Sequence, residues 1–147
     1  MSFDFSLVHK QISDFKQINI ILKKSYQSIR SAELTLDSDQ EASFTLSYES
    51  MLKTSLALML SRGYRPRVQL GHHKTLVLYA KYVLKQFSSI TATYDRMRQK
   101  RNKLIYDVDS VGKTEAKQAL AIAKRYFDIM EDKIAEDNPQ QKLWKHE

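Results

Sequence analysis

The chain has 147 residues, 42% of them apolar and 28% charged, which suits one compact domain around a single core. Three Gly and two Pro fall far below the ~12% that an average protein spends on these types, which argues against a turn-dense all-β fold. With no Cys, disulfide frameworks, thiolate zinc sites and cysteine nucleophiles are excluded, and a cytoplasmic location is expected.

Gly63, Pro66 and Gly71, then Gly112, then Pro139 leave three long stretches free of helix breakers. In the first, Val8, Ile12, Phe15, Ile18, Leu22, Tyr26 and Ile29 recur at spacings of three and four, predicting an amphipathic helix from about residue 5 to the mid-30s. Ser38 followed by Glu41 reads as a capping box for a second helix. The stripe of that helix, Phe44, Tyr48, Leu52, Leu56 and Met59, widens toward its end, so it is expected to be the most buried, and Gly63 is expected to end it. A basic loop over 64–71 follows, then a third helix of about four turns marked by Leu76, Ala80, Val83 and Phe87.

Ser88 or Ser89 suits the cap of a fourth helix, on which Ile90, Tyr94, Met97, Arg101 and Leu104 share one face. A cation thus interrupts an apolar stripe. Gly112 opens the turn into a fifth helix carrying Ala116, Leu120, Ala123, Phe127, Met130 and Ile134. The pattern predicts an all-α, up-and-down bundle of about five helices: one domain over 1–137, then a polar tail over 138–147 with Leu143 and Trp144 as its apolar anchors. The apolar runs, such as residues 56–60, fall far short of the ~20 residues a membrane span needs, and Met1-Ser2-Phe3-Asp4 carries no basic residue, so neither a membrane span nor a secretion signal is expected.

Several chemical motifs are approached and missed. Gly112-Lys113-Thr114 lacks the Gly five positions earlier that a phosphate-binding loop needs, and Asp107 stands there instead. Asp107, Asp109 and Gly112 imitate a calcium loop, but Val111 and Gln118 occupy ligand positions, so Asp109 or Ser110 reads better as a turn former. His72 and His73 point about 100° apart on a helix, which suits a structural or capping role, or a place near bound phosphate, better than a shared metal. No metal or other cofactor is called for.

The net charge of +7 is unevenly spread: residues 50–106 hold twelve cations against the single acid Asp95, while each flank is −2. A basic middle between acidic flanks predicts a polyanion partner, most simply nucleic acid; the alternative is a solvated face that serves solubility. The densest part includes Arg96, Arg98, Lys100, Arg101 and Lys103, followed by Leu104, Ile105, Tyr106 and Asp107. In it, guanidinium groups suit phosphate, Asn102 suits a phosphate or ribose hydroxyl, and Tyr106 suits stacking or donation. The competing reading has the Arg101 stem snorkelling past the core and Tyr106 packing at the helix end.

Arg101 followed by Asn102 resembles the signature of the HEPN superfamily (higher eukaryotes and prokaryotes nucleotide-binding), all-helical domains with an Arg, usually a polar residue after it, and a His late in the penultimate long helix. Tyr106 stands at the His position, five residues after Arg101, as in several diverged HEPN-like families that carry Arg-Asn followed by Tyr. The resemblance extends to the helical organisation over 5–137. It implies RNA or nucleotide binding, and for many members metal-independent ribonuclease activity in toxin–antitoxin or phage-defence systems, with two motifs facing one RNA cleft in a homodimer. Other members are non-catalytic partners of a nucleotidyltransferase, the alternative reading.

On that resemblance Arg101 holds phosphate, Asn102 orients it and Tyr106 donates or stacks. The basic residues Arg96, Arg98, Lys100, Lys103, Arg65, Arg67, His72, His73 and Lys74 form the expected nucleic-acid-binding set. Tyr106 is a poor base, because an unperturbed phenol stays protonated until a pH of about 10. His72 or His73 is the candidate replacement imidazole, provided that the segment carrying them folds against the fourth helix, in the same chain or across a dimer.

Overall fold

The computed structural model describes residues 2–67, 71–106 and 108–138. Five helices pack as a bundle, as the spacing predicts: α1 (Phe15–Thr35), α2 (Gln40–Ser61), α3 (His72–Val83), α4 (Ser88–Tyr106) and α5 (Lys113–Asp137). Short 3-10 turns lie at Phe5–Leu7 and Lys85–Phe87. A two-stranded sheet that the periodicity did not reveal pairs β1 (Val8–Lys10) antiparallel with β2 (Tyr64–Pro66), Val8 opposite Pro66.

This pairing corrects the start of the expected first helix and the expected basic loop, while the helix ends at Thr35, in the mid-30s as expected. Val8 is buried as a strand residue, whereas Ile12 is 93% exposed. Their spacing from Phe15 is a coincidence of two different structures. The helix begins only after Asp14, whose carboxylate accepts the Lys16 amide at 3.0 Å. Ser13 donates to the Leu60 carbonyl at 2.7 Å, so the segment before α1 satisfies one of the free acceptors at the end of α2. The loop expected over 64–71 is strand at its start, and residues 68–70 lie outside the described residues.

Helix α2 is the hub, packing on α1, α3, α4 and α5. Its cap is Asp39, which accepts the Ala42 amide at 3.0 Å, one residue later than the capping box read at Ser38. Buried Ser43, Ser47, Ser50, Thr54 and Ser55 explain how one helix contacts so many others, because small side chains permit close approach. Except for Ser47, whose hydroxyl has no partner among the described residues, their hydroxyls find local partners: Ser25 meets Thr54 at 2.6 Å, Ser55 meets the Tyr126 hydroxyl at 2.6 Å, and Ser43 donates to the Ala32 carbonyl at 2.7 Å. Gly63 follows the helix with φ +85°, a left-handed conformation that suits glycine.

The expected third helix is interrupted. It ends at Val83, and buried Leu84 leads through the 3-10 turn into α4, whose first residue is Ser88. The stripes on the last two helices agree with the spacing: Ile90, Tyr94 and Met97 are buried, as are Ala116, Leu120, Ala123, Phe127, Met130 and Ile134. Among the described residues no helix is long and apolar enough to cross a membrane. The anchors named for the tail, Leu143 and Trp144, and the motif acid Asp107 lie outside the described residues.

Candidate functional site

The cation that interrupts the α4 stripe sits over an aromatic floor. The Arg101 guanidinium carbon lies 5.9 Å from the centre of the Tyr48 ring, within cation–π range. Arg101 is half-buried, and its Nε is buried with no hydrogen-bond partner among the described residues. Tyr48 comes from the middle of α2 and is fully buried. Its hydroxyl is 3.1 Å from Nδ1 of His73, in the first turn of α3. One tyrosine therefore links an imidazole from α3 to a guanidinium from α4.

Electrostatics reinforce this link. Burial, aided by the positive charge of His72, Arg101 and Arg98, lowers the pKa of His73 to about 4. The imidazole is neutral at pH 7. Burial also pushes the Tyr48 hydroxyl up to about 12, against the pull of Arg101 and Arg98, so it keeps its proton. His72 meets His73 edge to face, with ring centres 4.6 Å apart, and is itself exposed.

Arg98 is held rather than free. It donates to Asp95 at 3.0 Å, and Lys81 from α3 reaches the same carboxylate at 3.2 Å. Desolvation opposes ionisation of Asp95, but the bonds from Arg98 and Lys81 outweigh it and hold the carboxyl below its usual range. Asp95 thus pins α3 to α4 beside the Arg101 cluster. Lys100 pairs with Asp109 at 3.2 Å and Glu115 at 3.5 Å. Arg96 is exposed, with a hydrogen bond to Thr93 at 2.8 Å, and Lys103 is exposed.

The expected polar trio is not brought together. Asn102 is exposed, and Tyr106 is 83% exposed with no hydrogen bond or ring contact among the described residues. At five residues beyond Arg101 on a helix, Tyr106 points about 140° away from it. The basic residues before and at the start of α3 also disperse. Arg67 is tied to the two-stranded sheet, donating to the Ser6 carbonyl at 2.7 Å and meeting His9 at 3.3 Å. Arg65 and His72 border a separate groove, Lys74 is exposed, and Arg62 pairs with Asp137 at 2.8 Å.

Tyr48, Asp95 and Lys81 were not singled out as site residues from the sequence. Asp95 carried a signal, being the lone acid in the basic stretch; Tyr48 carried little, because an aromatic in an apolar stripe reads as core. No protein-family model, curated protein or solved structure matches the chain.

Proposed function

We propose that this chain is a HEPN-like protein that binds RNA through its phosphates and cleaves it without a metal, at a site formed by Arg101, Arg98 and His73. The observation that carries the reading is the Tyr48 side chain, bonded to His73 at 3.1 Å while its ring underlies Arg101 at 5.9 Å. The unprotonated imidazole can accept the 2′-hydroxyl proton, its lowered pKa making it a weak base, so the guanidinium charge carries the larger share of the acceleration. With Nδ1–H donating to the Tyr48 oxygen, Nε2 of His73 takes the 2′-hydroxyl proton. The 2′-oxygen then bonds to the adjacent phosphorus, and the bond to the 5′-oxygen breaks. That oxygen takes a proton from solvent, leaving a 2′,3′-cyclic phosphate and a 5′-hydroxyl. Arg101 offsets the charge that gathers on the phosphate oxygens, and Arg98, paired with Asp95, adds only its field.

In this reading His73 takes the part that the resemblance assigns to the position of Tyr106, and Tyr48 acts as a positioning residue. The test is incubation of the purified protein with cellular RNA in EDTA beside Arg101→Ala, His73→Ala and Tyr106→Phe, with products resolved on a denaturing gel. Cleavage by the parent and Tyr106→Phe, lost in the other two, is the expected result. Equal cleavage by the parent and His73→Ala overturns the role of the imidazole, and no cleavage by the parent overturns the enzymatic reading.

A second reading, a non-catalytic partner of a nucleotidyltransferase or antitoxin, or a homodimer of such chains, is favoured by one observation. Ile105, Tyr106 and Val108 are 52%, 83% and 106% exposed, an apolar strip at the end of the basic helix. If a protein covers that strip, Ile105→Asp abolishes the complex, measured as molar mass by light scattering, without altering the melting temperature.

A further inference from the structure

A groove of about 380 Å³ begins where the Arg101 site stops, and its size falls in the range of about 300–1,000 Å³ common for small-molecule sites. It follows α2: Leu52, one turn beyond Tyr48, then Leu56 and Leu60, with Leu76 of α3 and Pro66 of β2 completing apolar walls. Two observations connect it to the phosphate-directed site. His72 lines the groove and packs edge to face on His73 at 4.6 Å, and His73 in turn bonds Tyr48 at 3.1 Å. The lining also carries three basic side chains, Lys53, Arg65 and His72, and no carboxylate.

Gln11 and Gln17 supply the remaining polar groups, each offering an amide donor and a carbonyl acceptor. Apolar walls for the face of a flat ring, an imidazole at the border and two amides for a ring edge match the chemistry of a heterocyclic base better than that of a bare sugar or phosphate. The basic rim suits a ligand that arrives attached to phosphate. Lys53 is held in place there, its ammonium donating to Ser28 at 2.9 Å.

We infer that the groove lined by Leu52, Leu56, Gln17 and His72 receives the nucleobase of a ribonucleotide whose phosphate lies at Arg101. The inference rests on the phosphate-binding reading above and adds to it a base-recognition site. In a polynucleotide, a base held there positions the backbone so that the adjacent ribose faces His73. The groove then selects which nucleotide is presented to the site.

The test is isothermal titration of the full chain with the four ribonucleoside 5′-monophosphates and with ribose 5-phosphate. At least one nucleotide is expected to bind about tenfold or more tightly than ribose 5-phosphate, the gain that base stacking confers. His72→Ala and Gln17→Ala, both at exposed positions, should reduce that advantage to within twofold, and Gln17→Ala, which removes no cation, should leave ribose 5-phosphate affinity unchanged. His72→Phe, which keeps a ring, should retain more of it than His72→Ala. Arg101→Ala should weaken nucleotide and sugar phosphate alike. Equal affinities for all five ligands, with Arg101→Ala still weakening them, would overturn the base groove and leave the phosphate site standing. Absence of binding, or binding indifferent to Arg101→Ala, would overturn both.

Discussion

Arg101 was legible as an anomaly, a cation on the face otherwise formed by Ile90, Tyr94 and Met97, because helical periodicity reports which face a residue occupies. Its partners were not legible, since Tyr48 and His73 lie on other helices and only packing brings them to it. The choice between a functional and a structural Arg101 is open to measurement. Its buried Nε has no partner among the described residues, so Arg101→Ala removes an uncompensated polar atom and should cost less than about 1 kcal/mol in thermal or urea unfolding. Met97→Ala, one turn away on the same face, should cost about 2–5 kcal/mol as a core truncation. Comparable losses in the two variants would identify the Arg101 stem as core packing. The same substitution has a titration readout. His73 prefers its neutral form in the folded protein, so its contribution to stability is full above the unfolded value of about 6.5 and declines as pH falls toward about 4. Removing the Arg101 charge should raise the His73 pKa in an NMR titration and flatten the stability–pH curve over that window; an unchanged pKa would mean that the two groups are not electrostatically coupled.

At the scale of elements, spacing was reliable wherever one face stays buried along a whole helix. Every apolar position of the α5 stripe from Ala116 to Ile134 is buried. It failed where the burial pattern changes cause within a few residues: Val8 is buried by a strand and Ile18 by a helix, yet both fit one three-and-four rhythm. Three-residue strands are too short to show an alternation of their own. The start of α2 was misplaced by one residue, because Ser38 and Asp39 are both good caps and only the geometry of the turn chooses between them. Asp39→Ala should therefore destabilise the fold by about 1 kcal/mol, while Ser38→Ala, whose hydroxyl lies 3.5 Å from the Thr35 carbonyl, should be nearly silent. The reverse order in urea melts would restore the capping box. Gly63→Ala, at φ +85°, should cost about 1–2 kcal/mol from backbone strain, since the added carbon would meet the Gln11 carbonyl at an ordinary 3.6 Å. A neutral effect would show that the turn between α2 and β2 relaxes freely.

Over the whole molecule, the sequence places the positive charge in one stretch but leaves open how much of it faces one way. The fold divides it. Asp95 holds Arg98 and Lys81, Asp109 and Glu115 hold Lys100, Asp137 holds Arg62, and Arg67 is bound to the Ser6 carbonyl. Ser28, Tyr82 and Thr93 engage Lys53, Lys85 and Arg96; the exposed side chains of Arg65, Lys74 and Lys103 make no ion pair, hydrogen bond or ring contact among the described residues, and Arg101 adds a fourth cation at the proposed phosphate site. Each phosphate contact to single-stranded RNA contributes about −0.7 to the slope of log affinity against log salt, so four contacts predict a slope of about −3. A slope near −8 would mean that the whole +11 stretch engages RNA, with the internal ion pairs opening on binding and the compact site losing its special place. A slope near zero would remove phosphate recognition altogether and favour a protein at the apolar end of α4. At a slope of about −3, Arg101→Ala should reduce its magnitude by about 0.7, because one phosphate contact is lost; Arg62→Ala should leave it unchanged, because that guanidinium already has its carboxylate. Filter binding of a radiolabelled RNA oligomer at a series of salt concentrations measures all three slopes.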